Sequence, residues 1–159
     1  MEFVEKSVSL IDANVSDDEA VRLFNASLPL GLKLMNARFL SASSEHGNLT
    51  ISYDLDKEFN NVAGFICGGY LANALDQAMS YAMSFVTGGD AAPTLEMKVS
   101  FIAAARPGRL IATGSVVKAG KTVGFAEGSL RDERGKLIAN ASATVQRITL
   151  EQLTRAGTH

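Results

Sequence analysis

Several segments of this chain alternate apolar and polar residues, the pattern of a strand with one buried face. Leu49, Ile51, Tyr53 and Leu55 are separated by polar residues, and the segment 94–101 repeats this alternation. Successive side chains of a strand point to opposite faces, so a period of two predicts a sheet that covers a core on one side. Strand-like segments span residues 39–44, 49–55, 94–101, 110–118, 122–131 and 137–146. Their short links favour antiparallel pairing.

Residues 70–86 form the most apolar segment and are predicted to form a long helix. They are dominated by Ala, Leu and Met, and they are too many for an ordinary strand. The polar residues recur at steps of three and four positions, which places them on one stripe. They are Asn73, Asp76, Gln77, Ser80 and Ser84. The pattern indicates a buried central helix with one polar seam, and the interruptions argue against a membrane span.

The order of these elements predicts an α+β fold. Ser16, followed by three acidic residues, predicts the start of a peripheral helix near the N-terminus. A hairpin, the long helix and four strands come next. The expected architecture is an antiparallel sheet wrapped around one helix, and 159 residues fit a single domain.

Composition then limits the chemistry. The chain has one Cys, two His and a net charge of -2. These counts exclude an intrachain disulfide and a multi-Cys zinc site, and they give no basic footprint for nucleic acid. The N-terminus lacks the continuous apolar core of a targeting signal, so the expected location is the cytoplasm. Expected partners are small molecules or a second copy of the chain.

Two familiar catalytic patterns fail. His46 lies in a predicted hairpin turn and His159 is the last residue, so neither is placed to serve as the base of a serine triad. Gly120-Lys121-Thr122 resembles the end of a phosphate loop, but such a loop needs Gly where this chain has Ser115. The segment is therefore predicted to be a hairpin turn.

Two features remain as candidate chemistry. Asp76 is an ionisable group in an apolar helix, either used in catalysis or satisfied by Asn73 and Ser80 one turn away. Gly68 and Gly69 stand at the predicted helix start, where free backbone amides can bind an oxyanion or the glycines can simply make a tight turn.

Together these residues resemble a known family. The run Asn61-Val62-Ala63-Gly64-Phe65-Ile66-Cys67-Gly68-Gly69, followed by Asp76 and Thr94, is similar to the hotdog-fold acyl-CoA thioesterases of the phenylacetate-pathway (PaaI-like) type. That family carries Asn, Gly three positions later, His-Gly-Gly, and an acid nine after the His. The resemblance covers about residues 37–148. It implies a hotdog core there, a peripheral helical segment at 1–36 and a tail at 149–159.

The resemblance also implies roles for individual residues. Asp76 becomes the nucleophile or general base, Asn61 positions the nucleophile or the thioester, and a Gly68 or Gly69 amide stabilises the oxyanion. Thr94 falls where the family has a Ser or Thr that helps to orient water. Cys67 departs from the family, which carries a hydrogen-bonding His at that position, and a thiol is a weaker donor.

Helix geometry adds a prediction about assembly. Gly69 and Asp76 are seven residues apart, about 10 Å along a helix axis. A single carbonyl cannot easily meet both groups, so a shared site requires two antiparallel helices from different chains. We therefore expect a homodimer with composite sites, and the resemblance adds pairing into tetramers.

Coenzyme A would enter as part of the substrate, with no metal or other cofactor. Basic residues near the strand ends are candidates for its phosphates, or they form an ordinary solvated face. The basic candidates are Arg106, Arg109 and Lys121, with Gly120 in the same predicted turn as Lys121 and with Lys118 nearby. Large apolar residues that could line an acyl pocket, but that fit the core better, are Met79, Met83, Phe85 and Phe101.

The expected activity is hydrolysis of an acyl-CoA thioester to the free acid and CoA. One alternative is a hotdog dehydratase or hydratase, which usually needs a His paired with an acid. Another is a non-catalytic acyl-CoA binding or sensing protein, which the replacement of His by Cys67 favours. Cys67 could also form a transient acyl-enzyme, although a lone Cys is more often a small buried apolar residue.

Overall fold

The computed structural model describes residues 15–156. In chain order its elements are α1 (Asp17–Ala26), α2 (Leu30–Leu34), β1 (Ala37–Ser43), β2 (Asn48–Leu55), a 3₁₀ turn (Lys57–Phe59), α3 (Gly68–Val86), β3 (Thr94–Phe101), β4 (Gly108–Ala119), β5 (Val123–Asp132), β6 (Leu137–Gln146) and α4 (Leu150–Ala156). The first 14 residues of the predicted N-terminal segment lie outside this range, as does His159.

The six strands form one antiparallel sheet in the order β1-β2-β4-β5-β6-β3. Strands β1 and β2 form the predicted hairpin, and the connection through α3 carries the chain to β3 at the opposite edge. The α+β hotdog architecture is thereby confirmed: an antiparallel sheet packs around a long central helix.

Strand β3 contains an irregularity that changes which of its side chains face the central helix. Thr94 pairs with Val145 and Glu96 with Thr144, so Leu95 is an extra residue in the ladder. An extra residue of this kind is a β-bulge, which shifts all residues on one side of it to the other face. Thr94 therefore points towards α3 together with Met97 and Val99, although strict alternation would place Thr94 on the opposite face from them.

The central helix lies against a floor of very small residues. Its buried side chains include Ala74, Leu75, Ala78 and Met79. A Cβ at Gly114 of β4 would stand 2.2 Å from the Ala78 carbonyl oxygen. Larger side chains at Gly124 and Gly128 of β5 would collide with Met83 and Met79, respectively, which pack directly over these two glycines.

The N-terminal helix is less peripheral than the sequence suggests. Ser16 caps α1 as predicted, accepting from the Glu19 N–H at 3.3 Å. Phe24 of α1 is buried, and its ring lies 5.2 Å from the Phe39 ring and 5.4 Å from the Tyr81 ring. This aromatic cluster joins α1 to β1 and α3.

The structure also contains helices that the sequence pattern did not predict. Helix α2 and the 3₁₀ turn are each five residues or fewer, and α4 begins in the segment predicted as a tail. Helices this short contain too little periodicity to stand out in a sequence. Within residues 15–156, no helix combines the length and apolar character needed to cross a membrane.

Gly114→Ala tests whether the close approach of α3 depends on the missing side chain. The added methyl group meets backbone atoms of Ala78 and Met79, which cannot move independently of the helix. We expect the free energy of unfolding to fall by about 3 kcal/mol, the upper part of the usual cost of overpacking. Urea denaturation provides the measurement.

Gly31→Ala in α2 is the matched control for that change. A Cβ at Gly31 meets no atom within 4 Å, so the same substitution should be neutral or slightly stabilising in a helix. Equal losses of stability in the two variants would contradict the role assigned to Gly114.

Candidate active site

Asp76 lies on the polar seam of α3, and its carboxylate is bound by a residue from β3. The Thr94 hydroxyl donates to Asp76 Oδ1 at 2.5 Å. The Ser80 hydroxyl lies 3.4 Å from the Thr94 hydroxyl. Because the single hydroxyl proton of Thr94 is directed at Asp76, Ser80 is the donor in this second pair. Three polar side chains thus form a chain that ends on the carboxylate.

Asn73 does not join that chain. Its amide group donates to the sulfur of Met35 at 3.1 Å, and its carbonyl oxygen accepts from Gln77 at 3.3 Å. The alternative in which Asn73 helps to satisfy Asp76 is therefore wrong, whereas Ser80 contributes through Thr94. The seam divides into two separate groups of hydrogen bonds.

Asp76 and Thr94 line a cleft of about 320 Å³. One side of the cleft is the polar seam of α3, the other is the loop that precedes β3, and Phe24 and Tyr81 close it with apolar surface. Burial raises the pKa of the Tyr81 hydroxyl. Burial also raises the pKa of Tyr53, with smaller contributions from Tyr81 and Asp76. Both phenols therefore remain protonated, and the Tyr53 hydroxyl donates to the Ala74 carbonyl at 3.4 Å.

The N-terminus of α3 presents free backbone donors. Cys67 is the N-cap residue, and its side chain makes no capping hydrogen bond. Its carbonyl accepts from the Tyr70 and Leu71 N–H groups, whereas within residues 15–156 the N–H groups of Gly68 and Gly69 have no acceptor. These two amides carry the positive end of the helix dipole. They can stabilise an anion placed at the helix start.

The loop before α3 is shaped by Asn61. Its side-chain oxygen accepts from the Ala63 N–H at 2.9 Å and from the Phe65 N–H at 3.3 Å. The side-chain amide of Asn61 is therefore the half available to a ligand, because the oxygen already serves the loop. Next to it, the side-chain oxygen of Asn60 is buried without a partner among the described residues.

Asn61 and Gly68 line a second cleft, of about 300 Å³. Phe101 forms part of its wall, and the Phe101 ring would lie 3.1 Å from a Cβ at Gly68. The structure thus brings Asn61, Gly68 and Cys67 together at the start of α3. It brings Asp76 and Thr94 together about two turns further along, and one chain does not join the two groups.

The basic residues predicted to bind CoA lie outside the walls of both clefts, although Arg106 is next to one of them. The Arg106 guanidinium lies 5.8 Å from the centre of the Phe65 ring, at the cleft that contains Asn61. Gly120 and Lys121 form the turn between β4 and β5, as predicted, and Lys121 is exposed. Arg109 instead binds Asp54 through two hydrogen bonds of 3.2 Å and lines neither cleft. This contact raises the pKa of the Arg109 guanidinium.

The remaining candidates have simple placements. His46 is exposed in the turn between β1 and β2. Met79, Met83 and Phe85 are buried in the core, as the sequence favours, whereas Phe101 is largely exposed. Among residues 15–156, no three His, Cys, Asp or Glu side chains are grouped to hold a metal ion.

Sequence reasoning missed one pair at the Asp76 cleft. Asp90 is buried in the cleft wall and receives hydrogen bonds from Arg147, a residue just beyond β6. The two residues are 57 positions apart, and neither lies in a recognisable motif. Only the pairing of β6 with β3 brings them together.

Comparison with known proteins agrees with this arrangement. A sequence model described as the thioesterase superfamily matches residues 63–139, from the loop before α3 to β6. Over that segment the chain is similar to the thioesterase superfamily. Human acyl-coenzyme A thioesterase 13 is 27% identical over 104 residues, which are 64% of this chain and 74% of the human protein.

Solved structures of other proteins share the fold. A phenylacetic acid degradation-related protein from Ralstonia eutropha JMP134 has 27% identity and a TM-score of 0.69, with 79% of this chain and 96% of that chain covered. A Streptococcus mutans protein bound to acetyl-CoA has 22% identity and a TM-score of 0.62, with 69% of this chain and 88% of that chain covered.

Thr94→Val tests the hydrogen bond to Asp76 independently of any activity. The change keeps the shape of the side chain but leaves a partly buried carboxylate without its hydroxyl donor. We expect the free energy of unfolding at neutral pH to fall by about 2 kcal/mol, as for other hydrogen bonds to charged groups. Thermal or urea unfolding provides the measurement.

Two further variants control this experiment. Thr94→Ser retains the hydroxyl and should recover most of the loss. Thr113→Val removes a hydroxyl whose side-chain hydrogen bond is to the neutral Thr50 hydroxyl at 3.4 Å, so it should cost much less. An equal cost at positions 94 and 113 would contradict a special bond to Asp76.

Proposed function

We propose that this protein hydrolyses acyl-CoA thioesters. The observation that carries the proposal is the Thr94–Asp76 contact, which places a hydrogen-bonded carboxylate on the wall of a cleft in a thioesterase-superfamily fold. The name of the human relative, an acyl-coenzyme A thioesterase, supports the choice of substrate class.

The proposed chemistry needs two groups, and α3 carries both. Asp76 either attacks the thioester carbonyl directly or removes a proton from the attacking water. In both routes negative charge develops on the carbonyl oxygen, where the amide of Gly68 or Gly69 stabilises it. Collapse of the tetrahedral intermediate breaks the carbon–sulfur bond and releases CoA as its thiol after protonation. Where an acyl-aspartate forms, water then hydrolyses it.

In this proposal Thr94 and Asn61 orient the reacting groups rather than stabilise developing charge. The Thr94 hydroxyl donates to one carboxylate oxygen of Asp76, which leaves Oδ2 for the water or the carbonyl carbon. The Asn61 side-chain amide can donate to the thioester or to the nucleophile, because its oxygen is already bound to the loop. Each residue orients a partner that the reaction must align.

The site we propose is shared between two copies of the chain. Asp76 and the glycine amides lie about 10 Å apart along one helix and line separate clefts. Two antiparallel copies of α3 would place the Asp76 of one chain beside the Gly68 of the other. Edge strand β3 supports this pairing, because Leu95 and Phe101 are 59% and 54% exposed on it and Ile102 beyond it is 57% exposed. Association of two such dimers into a tetramer is a further part of the proposal.

Basic residues of both chains would then meet the phosphates of one CoA molecule. Arg106 stands at the cleft of Gly68, and Lys121 lies on a turn at the far end of the sheet. Antiparallel pairing would bring the Arg106 of one chain towards the end of its partner that carries Lys121. Arg109 is a weaker candidate, because Asp54 already binds its guanidinium.

Acyl-CoA binding without turnover is the second candidate function. Cys67 favours it, because the thiol replaces the family's His and makes no capping hydrogen bond at the start of α3. A dehydratase or hydratase is less well supported, since His46 lies in the β1–β2 turn and lines neither cleft.

Asp76→Asn should abolish thiol release from acyl-CoA. The amide has nearly the same shape as the carboxylate, but it can neither attack the carbonyl nor accept a proton at neutral pH. We expect kcat to fall by about 10³-fold, with KM changed little. A thiol-release assay over short, long and aromatic acyl-CoAs provides the measurement.

The same assay separates the alternatives. Asp90→Asn is the matched control, because it neutralises another carboxylate of the same cleft and should retain much more activity than Asp76→Asn. Wild-type protein that binds acyl-CoA without releasing thiol supports the binding function, and Cys67→His should then create or increase turnover. Full activity of Asp76→Asn would sink the hydrolytic mechanism.

Mixed dimers test the shared site. One parent carries Asp76→Asn, and the other carries Asn61→Asp with Gly68→Pro, which removes the Asn61 side-chain donor and the Gly68 N–H and should leave little activity in that parent alone. Random exchange of subunits makes half of the dimers mixed, and each mixed dimer has one intact site. We therefore expect recovery of about a quarter of wild-type activity.

Gly68→Ala controls for the proline, because it adds the same Cβ beside Phe101 but retains the N–H. It should remain active. Absence of any recovery in the mixture, with subunit exchange verified by mass spectrometry, would place both halves of the site within one chain.

A further inference from the structure

Arg147 connects three segments that are distant in sequence. Its Nε and one terminal nitrogen donate to Asp90 Oδ2 at 3.0 and 2.6 Å, and its other terminal nitrogen donates to the Gly120 carbonyl at 2.6 Å. Its backbone N–H donates to the Thr122 carbonyl at 2.8 Å. Arg147 therefore holds the loop before β3 with one edge of its guanidinium and the β4–β5 turn with the other.

The loop held by Asp90 leads directly into the candidate catalytic residues. It lines the Asp76 cleft and ends at Thr94, which is four residues after Asp90. Ala91 pairs with Ile148, and the Pro93 carbonyl accepts from the Gln146 N–H. The loop contains Gly88 and Gly89, both with positive φ, so side-chain and strand contacts rather than backbone stiffness set its position.

The turn held through Gly120 carries Lys121, the residue proposed above to bind CoA phosphates. Lys121 stands between the two carbonyl groups that Arg147 contacts, Gly120 and Thr122. Arg suits this junction because its planar group donates in several fixed directions, which a Lys ammonium cannot do. Both ionic partners are largely buried, with side-chain exposures of 21% for Arg147 and 12% for Asp90, so the pair is weakly screened.

We propose that Arg147 is a positioning residue that couples CoA binding at the Lys121 turn to the orientation of Thr94 and Asp76. The inference rests on the proposed acyl-CoA hydrolysis and adds to it. When phosphates fix the turn, Arg147 is held at Gly120 and Thr122 and in turn holds Asp90. The loop and the Thr94 hydroxyl then keep the position that aligns Asp76.

Arg147→Gln tests the kinetic part of the proposal. Two substrates with the same acyl group are compared, the CoA thioester and the N-acetylcysteamine thioester, which has no phosphates. We expect kcat to fall about tenfold with both because Thr94 is no longer held, and KM to rise several-fold with the CoA thioester alone. Arg131→Gln is the control, since Arg131 donates to the Gly135 carbonyl of a different turn.

Lys121→Ala, alone and combined with Arg147→Gln, tests the coupling. If Arg147 holds the turn for CoA, Lys121→Ala raises KM in the wild type but has little further effect in the Arg147→Gln background. Multiplicative effects would overturn the proposal, as would a uniform loss of kcat with unchanged KM. Where Arg147→Gln does not fold, Arg147→Lys keeps a cation beside Asp90 and should lose the same coupling.

Hydrogen exchange with free coenzyme A gives a second readout that needs no hydrolysis. In the wild type, coenzyme A should slow exchange at residues 119–123 and also at residues 88–94, whereas in Arg147→Gln only 119–123 should respond. An unchanged response of 88–94 in the variant, or no response of either segment in the wild type, would overturn the coupling. Absence of thiol release with this exchange pattern intact would reject the hydrolytic function alone.

Discussion

The fold depends on how closely α3 can approach the sheet. The helix is apolar on most of its circumference, so it must be covered almost completely, and a sheet can do this only by curving around it at short range. Gly114 permits the shortest contact, with no space between its Cα and the backbone of Ala78 and Met79. Small residues on β5 and β6, such as Gly124, Gly128 and Ala139, extend this floor. The polar seam is then left as the stripe of α3 that faces the Asp76 cleft.

That constraint also explains why the candidate catalytic groups lie in two separate clefts. A buried helix can offer reactive groups only along its seam and at its ends. Asp76 lies on the seam, where the neutral Thr94 hydroxyl donates to it. Gly68 and Gly69 lie at the N-terminus of α3, where their own backbone N–H groups are the donors. In the proposed mechanism, one helix would thus provide both the base or nucleophile and the donors to the oxyanion. Their separation along the axis is the cost of placing both on one rigid element.

Much of this arrangement follows from the sequence because it is periodic. Alternation defines the strands, and the steps of three and four define the seam of α3. Contacts between residues far apart in sequence do not leave such a trace. Asn73 and Asp76 have similar positions on the seam, yet only tertiary packing gives Met35 to one and Thr94 to the other. The Asp90–Arg147 pair is invisible for the same reason.

The extra residue in β3 has a consequence for how such a site could arise or disappear. Alternation alone would aim the Thr94 hydroxyl at the outer surface while Met97 and Val99 still faced the core. Deleting Leu95 would remove the bulge, but Thr94 would then stand two positions before Met97 and would still face α3. A regular ladder that retained Leu95 would instead turn Thr94 outward. The contact with Asp76 therefore tolerates loss of the extra residue but not a regular strand of the present length.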